Sequence, residues 1–241
     1  ATAGARAIAA GGTRKRPASD AAPAQSRRIR LLMELGVLFI AVPLIMRYAI
    51  YGFRLPLYLV IAPAFAALLL YLLWDDTFHV VAELKRGFGL AELASILALF
   101  ALFAAVITAV VAWIAPADLF AFPLNRPTRW RRLMIMYPLL SVIAQEFIYR
   151  TFFFHRYGPL FGEARWLLIL VNGLAFGLAH VIIGNWVSVA LTTLFGFLLA
   201  WRYERTGSFW AVWVEHSIYG CMIFSVGLGH YFFTGVPSFL A

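Results

Sequence analysis

Apolar residues run through this chain in long stretches that polar positions interrupt only briefly. Runs near 20 residues, enough to cross hydrocarbon as a helix, fall at about 34–53, 55–74, 91–115, 133–154, 166–183, 186–203 and 209–233. The alternation of a β-barrel strand is absent, and an isolated strand leaves its backbone groups unsatisfied in lipid, so each run reads as a helix. The pattern predicts an all-α, polytopic transmembrane helical bundle of about seven membrane helices, or eight if the long last run splits. Ahead of it, residues 1–31 are mostly Ala, Gly, Ser and Pro around Arg14-Lys15-Arg16 and Arg27-Arg28-Arg30. That composition cannot bury enough apolar surface to fold. A disordered basic tail is expected over 1–31 and a single transmembrane domain over 32–241. A signal peptide is not expected, because the first apolar run is long enough to span. The longest non-helical connection is expected from Pro116 to Trp130, which carries three prolines.

Composition fixes the medium. Only 13% of the residues are charged and 63% are hydrophobic, against about 25% charged in soluble domains. The net charge of +9 does not read as nucleic-acid binding, because the cations are spread over the tail and loops. With the N-terminus in the cytoplasm and seven crossings, thirteen of the twenty Lys and Arg lie inside. This agrees with the positive-inside rule and predicts a multi-pass protein of the cell membrane with a cytoplasmic N-terminus. The cluster Arg126, Arg129, Arg131 and Arg132 falls outside and runs against that count. The single cysteine, Cys221, excludes an intramolecular disulfide and a thiolate metal cluster.

Few ionisable groups fall deep in the apolar runs, where each charge costs roughly 2.5–3.5 kcal/mol on the gentlest scale. They are Glu146 with Arg150, His180, and the adjacent Glu215-His216. All lie on three runs of the C-terminal half, which suggests three helices converging on one polar site with the earlier helices as scaffold. Each group also has a plainer explanation. Glu146 and Arg150, four apart with the acid first, form a favourable helical ion pair. His180 suits a core histidine bonded to a carbonyl, and Glu215-His216 suits an interfacial position beside Trp210 and Trp213. A carboxylate and two imidazoles permit two chemistries. One is general-base activation of water with an imidazole stabilising the oxyanion. The other is water activation by a divalent metal, which the lack of a His-Glu-x-x-His helix weakens.

Three segments carry a resemblance. Gln145-Glu146-Phe147-Ile148-Tyr149-Arg150, Phe176-Gly177-Leu178-Ala179-His180 and His216-Ser217-Ile218-Tyr219-Gly220 are similar in order and spacing to the Glu-Glu-x-x-x-Arg, Phe-x-x-x-His and His-x-x-x-Asn motifs of the CPBP intramembrane proteases. That family includes the type II CAAX prenyl endopeptidases. The resemblance covers roughly 133–225. It implies a protease that hydrolyses a peptide bond of a membrane-associated protein or peptide substrate; with no zincin helix, no cysteine cluster and no further histidine at depth, neither metal nor cofactor is expected. The resemblance puts Glu146 at the place of the family's second, supporting Glu; in this chain the expected roles are His180 with Glu146 for water activation, His216 for the oxyanion, Gln145 for positioning water and Arg150 for fixing the carboxylate.

Two positions depart from the motifs. Gln145 stands where the family has its first, water-activating Glu, and Gly220 stands where it has Asn. Three accounts are open: Glu146 acts as base, Glu215 supplies the missing carboxylate, or the chain is a protease-like relic that binds without cutting. The rival class is a non-catalytic membrane scaffold or immunity factor, or a proton-coupled carrier using the same Glu/His groups. A carrier should show paired broken helices in two related halves, and the sequence shows no such repeat.

Overall fold

The computed structural model describes residues 25–233. Among these residues there is no strand. The long helices are α1 (Gln25–Gly52), α2 (Leu57–Trp74), α4 (Leu90–Ile114), α6 (127–161), α7 (Arg165–Ala179), α8 (Trp186–Thr206) and α9 (Phe209–Val226). Two short ones, α3 (Val80–Leu84) and α5 (Ala121–Asn125), lie in the connections. Five helices are long and apolar enough to cross a membrane: α1, α4, α7 with its 3₁₀ extension His180–Ile183, α8 and α9. The chain is thus an all-helical membrane bundle.

Three boundaries differ from the sequence reading. Residues 25–31, expected in the tail, are the first turns of α1, where Leu31 is buried while Arg27, Arg28 and Arg30 stay exposed. One apolar anchor suffices to continue a helix whose basic residues face outward. The rest of the expected tail lies outside the described residues. The connection 116–130 is not structureless: α5 occupies its middle, and α6 begins at Pro127. Proline suits a first helical turn, whose N–H has no partner in any case. The last apolar run does not split, because α9 ends at Val226 on Gly227 with φ +114°, followed by a 3₁₀ turn at Leu228–Phe232.

Helix α6 is continuous but irregular, with wide π-type turns at Tyr137–Val142 and Phe147–Phe152. Pro138 causes the first of them. Its missing N–H removes a rung from the ladder, and neighbouring helices satisfy the freed groups as lipid requires. Trp213 Nε1 donates to Pro138 O at 2.9 Å, and the Cys221 thiol approaches Met134 O at 3.9 Å. Helix α1 has a similar wide turn at Val37–Ala41, just before Pro43.

Two contacts set the frame. On one side Phe39 of α1 meets Tyr149, Phe153 and Tyr157 of α6 edge-on, with ring centroids 4.9–5.8 Å apart. On the other, α7 lies almost against α8, because Gly173 and Gly177 form a small-xxx-small face. A Cβ on Gly173 would overlap the Phe197 ring, and one on Gly177 would overlap Thr193. Among the five long apolar helices, α9 is the most buried, with 56% of its apolar window inside the bundle against 11% for α4.

Candidate active site

The polar groups gather where α6, α7 and α9 meet. Glu146 and Arg150 are fully buried, and His216 is 4% exposed. Glu146 Oε1 lies 2.7 Å from His216 Nδ1. Its second oxygen lies 3.2 Å from Arg150 Nε, as the four-residue spacing suggests. No N–H of Arg150 is aimed at that oxygen, so this contact is charge against charge rather than a directed hydrogen bond. Arg150 instead donates Nη1–H to Asn172 Oδ1, while Asn172 Nδ2 donates to Tyr149 O at 2.6 Å. The guanidinium also stacks 4.9 Å over the Phe176 ring. This cation–π contact supports the cation where water cannot.

Glu146 therefore pairs with His216, not with His180 as the sequence reading has it. A carboxylate on Nδ1 fixes the orientation of an imidazole and determines which nitrogen carries a proton. The other nitrogen, Nε2, lies 3.0 Å from the Tyr137 hydroxyl. His180 is held differently. Its Nδ1 lies 2.8 Å from Phe176 O, and a carbonyl only accepts, so Nδ1 carries the hydrogen. Neutral His180 then keeps an unprotonated Nε2. Phe176 packs on both imidazoles, 4.9 Å from His180 and 5.6 Å from His216, which brings the α7 and α9 histidines to one place.

Gln145, His180, His216 and Gly220 line a predominantly apolar cavity of about 1270 Å³. Gln145 Nε2 donates to Ser141 Oγ at 2.8 Å, and its buried amide oxygen has no protein partner. Glu146 is not on the cavity wall; it sits behind His216. The site thus offers an imidazole with an unprotonated nitrogen and a carboxylate-backed second imidazole on the wall of a space for an apolar chain, with the amide oxygen of Gln145 buried and unpaired beside them.

Glu215 is not part of this site, which removes one of the three accounts. Neighbours on a helix point about 100° apart, and Glu215 faces Arg202 with bonds of 2.7 and 2.9 Å from Nε and Nη2. Both are fully buried, and Arg202 also pairs with Glu92 of α4. The earlier helices are less barren than the sequence reading holds. Glu34 of α1 takes Arg156 at 2.7 Å, and buried Glu83 of α3 accepts from Tyr203. These ties fasten the scaffold to α6 and α8.

Sequence reasoning missed Tyr137 and Asn172. Asn172 had a signal, an amide alone in the run LILVNGLAF, where a polar group at depth marks a partner. Among the described residues no group of three or more His, Cys, Asp or Glu could hold a metal ion.

Fold and site together define a polytopic helical membrane protein with a buried carboxylate–imidazole–guanidinium centre beside an apolar cavity. Residues 127–222, from α6 through most of α9, match the family model described as type II CAAX prenyl endopeptidase Rce1-like. The matched segment contains all three motifs and so supports the resemblance read from them. Comparison with curated proteins and with solved structures gave no match.

Proposed function

We propose that the chain is an intramembrane endopeptidase that hydrolyses a peptide bond of a membrane-associated protein. One observation carries the reading: His180 and Gln145 line the same cavity as His216, which a buried Glu146 orients. Gln145 orients the water and His180 takes its proton as general base. His216, held by Glu146, lies on the side where the carbonyl oxygen gathers charge. Arg150, 3.2 Å away, holds the Glu146 side chain in place. Glu146 acts through His216 in this scheme, so its role is orientation rather than proton abstraction. The cavity volume and apolar lining suit a substrate whose lipid or apolar segment enters beside the scissile bond. The excess of basic residues near one side favours a cytoplasmic N-terminus in a cell membrane.

A non-catalytic relative is the second reading, and the specific observation in its favour is Gln145. An amide orients water but cannot take its proton. The test uses the full chain in lipid nanodiscs and an internally quenched peptide bearing an S-isoprenyl cysteine near a free C-terminus. Cleavage by the wild type and its loss in His180→Ala support the peptidase. No cleavage by any preparation that melts cooperatively supports the binder. Cleavage should survive dialysis against a strong chelator; loss that zinc restores would replace the Glu/His scheme by a metal-dependent one.

A further inference from the structure

Tyr137 fits between two residues the sequence motifs single out, His216 and Gly220. Its hydroxyl lies 3.0 Å from His216 Nε2. Its ring stands edge-on to the imidazole and to Phe224, at 6.0 and 5.1 Å between centroids. A Cβ built on Gly220 would overlap the hydroxyl, Cζ and Cε1 of Tyr137. Gly220 is four residues after His216, the place on α9 from which a side chain would meet that histidine. Here the place is empty on α9, and a phenol from α6 fills it. Tyr137, His216 and Gly220 all line the cavity.

Resting on the peptidase reading above, we infer that Tyr137 is a catalytic residue, the hydrogen-bond donor to the oxyanion, and that Gly220 must lack a side chain to admit it. The hydrogen-bond inventory sets the terms. When His216 is neutral with its proton on Nδ1 toward Glu146, Tyr137 donates to Nε2. When Nε2 carries a proton, Nε2–H donates to the phenol oxygen, and the hydroxyl proton turns to the cavity. The second arrangement is the working one. The water oxygen bonds to the carbonyl carbon, its proton passes to His180 Nε2, and the carbonyl π pair moves onto oxygen. That oxyanion accepts from the Tyr137 hydroxyl, and neither Tyr137 nor His216 gives up a proton. On collapse the C–N bond breaks, its electron pair stays on nitrogen, and the proton on His180 goes to the leaving amine.

The experiment compares the wild type with Tyr137→Phe, which keeps the ring and removes the O–H. The full chain in nanodiscs is assayed on the quenched isoprenyl peptide, and the five histidines are followed by ¹⁵N NMR, with His216→Asn assigning the signal. The expected result is a fall in kcat of about 10²–10³-fold, the usual loss for one oxyanion donor, with KM little changed. The His216 ring nitrogens should shift while those of His180 hold. Gly220→Ala should lower kcat by displacing the phenol, and adding it to Tyr137→Phe should cost little more, as for residues acting as a unit. A Tyr137→Phe enzyme that keeps its kcat overturns the catalytic role, even if the His216 signals move, since the phenol would then only pin the ring. A wild type inert on the probe overturns the peptidase reading and this role with it. An active wild type with an active variant overturns the role alone.

Discussion

Glu215 stands next to a histidine of the site, yet its side chain belongs to an ion pair with Arg202, and this separates stability from chemistry. Removing one partner of a buried pair costs about 3–5 kcal/mol because the other charge is stranded. Arg202→Met leaves Glu215 fully buried without its two donors. Glu92 loses less, since it keeps Arg205 at 2.8 Å. At about 2–4 °C per kcal/mol for a chain of this size, Arg202→Met should melt about 6–20 °C below the wild type. Glu215→Gln is milder. Arg202 retains Glu92, and the loss is that of hydrogen bonds to a charged group, about 1.5–3 kcal/mol. Replacing both, Arg202→Met with Glu215→Met, should recover most of the loss, as apolar replacement of a buried pair often does. Melting is followed by tryptophan fluorescence in detergent, and hydrolysis is assayed well below every midpoint. All three variants should cut the peptide at near wild-type kcat. A Glu215→Gln protein with an unchanged midpoint and lost hydrolysis would refute this, and would return Glu215 to the reaction.

Arg150→Ala should lower the melting midpoint more than Glu146→Gln. The first deletes a fully buried side chain together with its hydrogen bond to Asn172 and its stacking on Phe176; the second keeps volume and an acceptor for His216. Equal midpoints would mean that Arg150 contributes nothing beyond its pairing with Glu146. Gln145→Glu puts a carboxylate on the cavity wall beside Ser141 and should change kcat by less than about tenfold, below the 10²–10⁴-fold of a new general base. A larger gain would show that the wild type lacks its base. Outside the membrane, burial raises the Asp75 carboxyl, but bonds from the Thr77 hydroxyl and N–H and from His155 outweigh it and hold it at about 2. Because this folded value lies below the ordinary 3.8, the stabilisation is present above pH about 4 and fades as pH falls toward 2. Acid titration of melting should show that step, and Asp75→Asn should remove it.

The membrane class and most helices are legible in the sequence because apolar run length and helix length are the same quantity in lipid. The Glu146–Arg150 contact is legible too, since four residues make one local turn. Partner choice across helices is not. Glu146 and His216 are 70 residues apart, and nothing local says which histidine a carboxylate will meet. The Glu215 reading failed for a geometric reason, as adjacency in sequence on a helix means divergence in space. Glu34, Glu83 and Glu92 looked like loop or helix-end acids because their partners Arg156, Tyr203 and Arg202 come from distant helices.

The wide turns of α6 have a consequence for register. Arg129, Leu133, Tyr137, Ser141, Gln145 and Tyr149 all line the cavity, one every four residues. On a regular helix a four-residue step overshoots a full turn by about 40°, and five such steps would swing the face roughly 200° around the axis. Wide turns take more residues per revolution and reduce that drift, and with Met136, Leu140, Ala144 and Ile148 also lining the cavity, α6 turns a broad face to it. Helix α6 is in effect a rod whose phase is reset twice. Deleting one residue from Tyr137–Val142 would restore the regular pitch there and rotate Arg129 and Leu133 off the wall that Gln145 still faces. The length of that segment therefore helps decide which side chains of α6 share a face with Gln145.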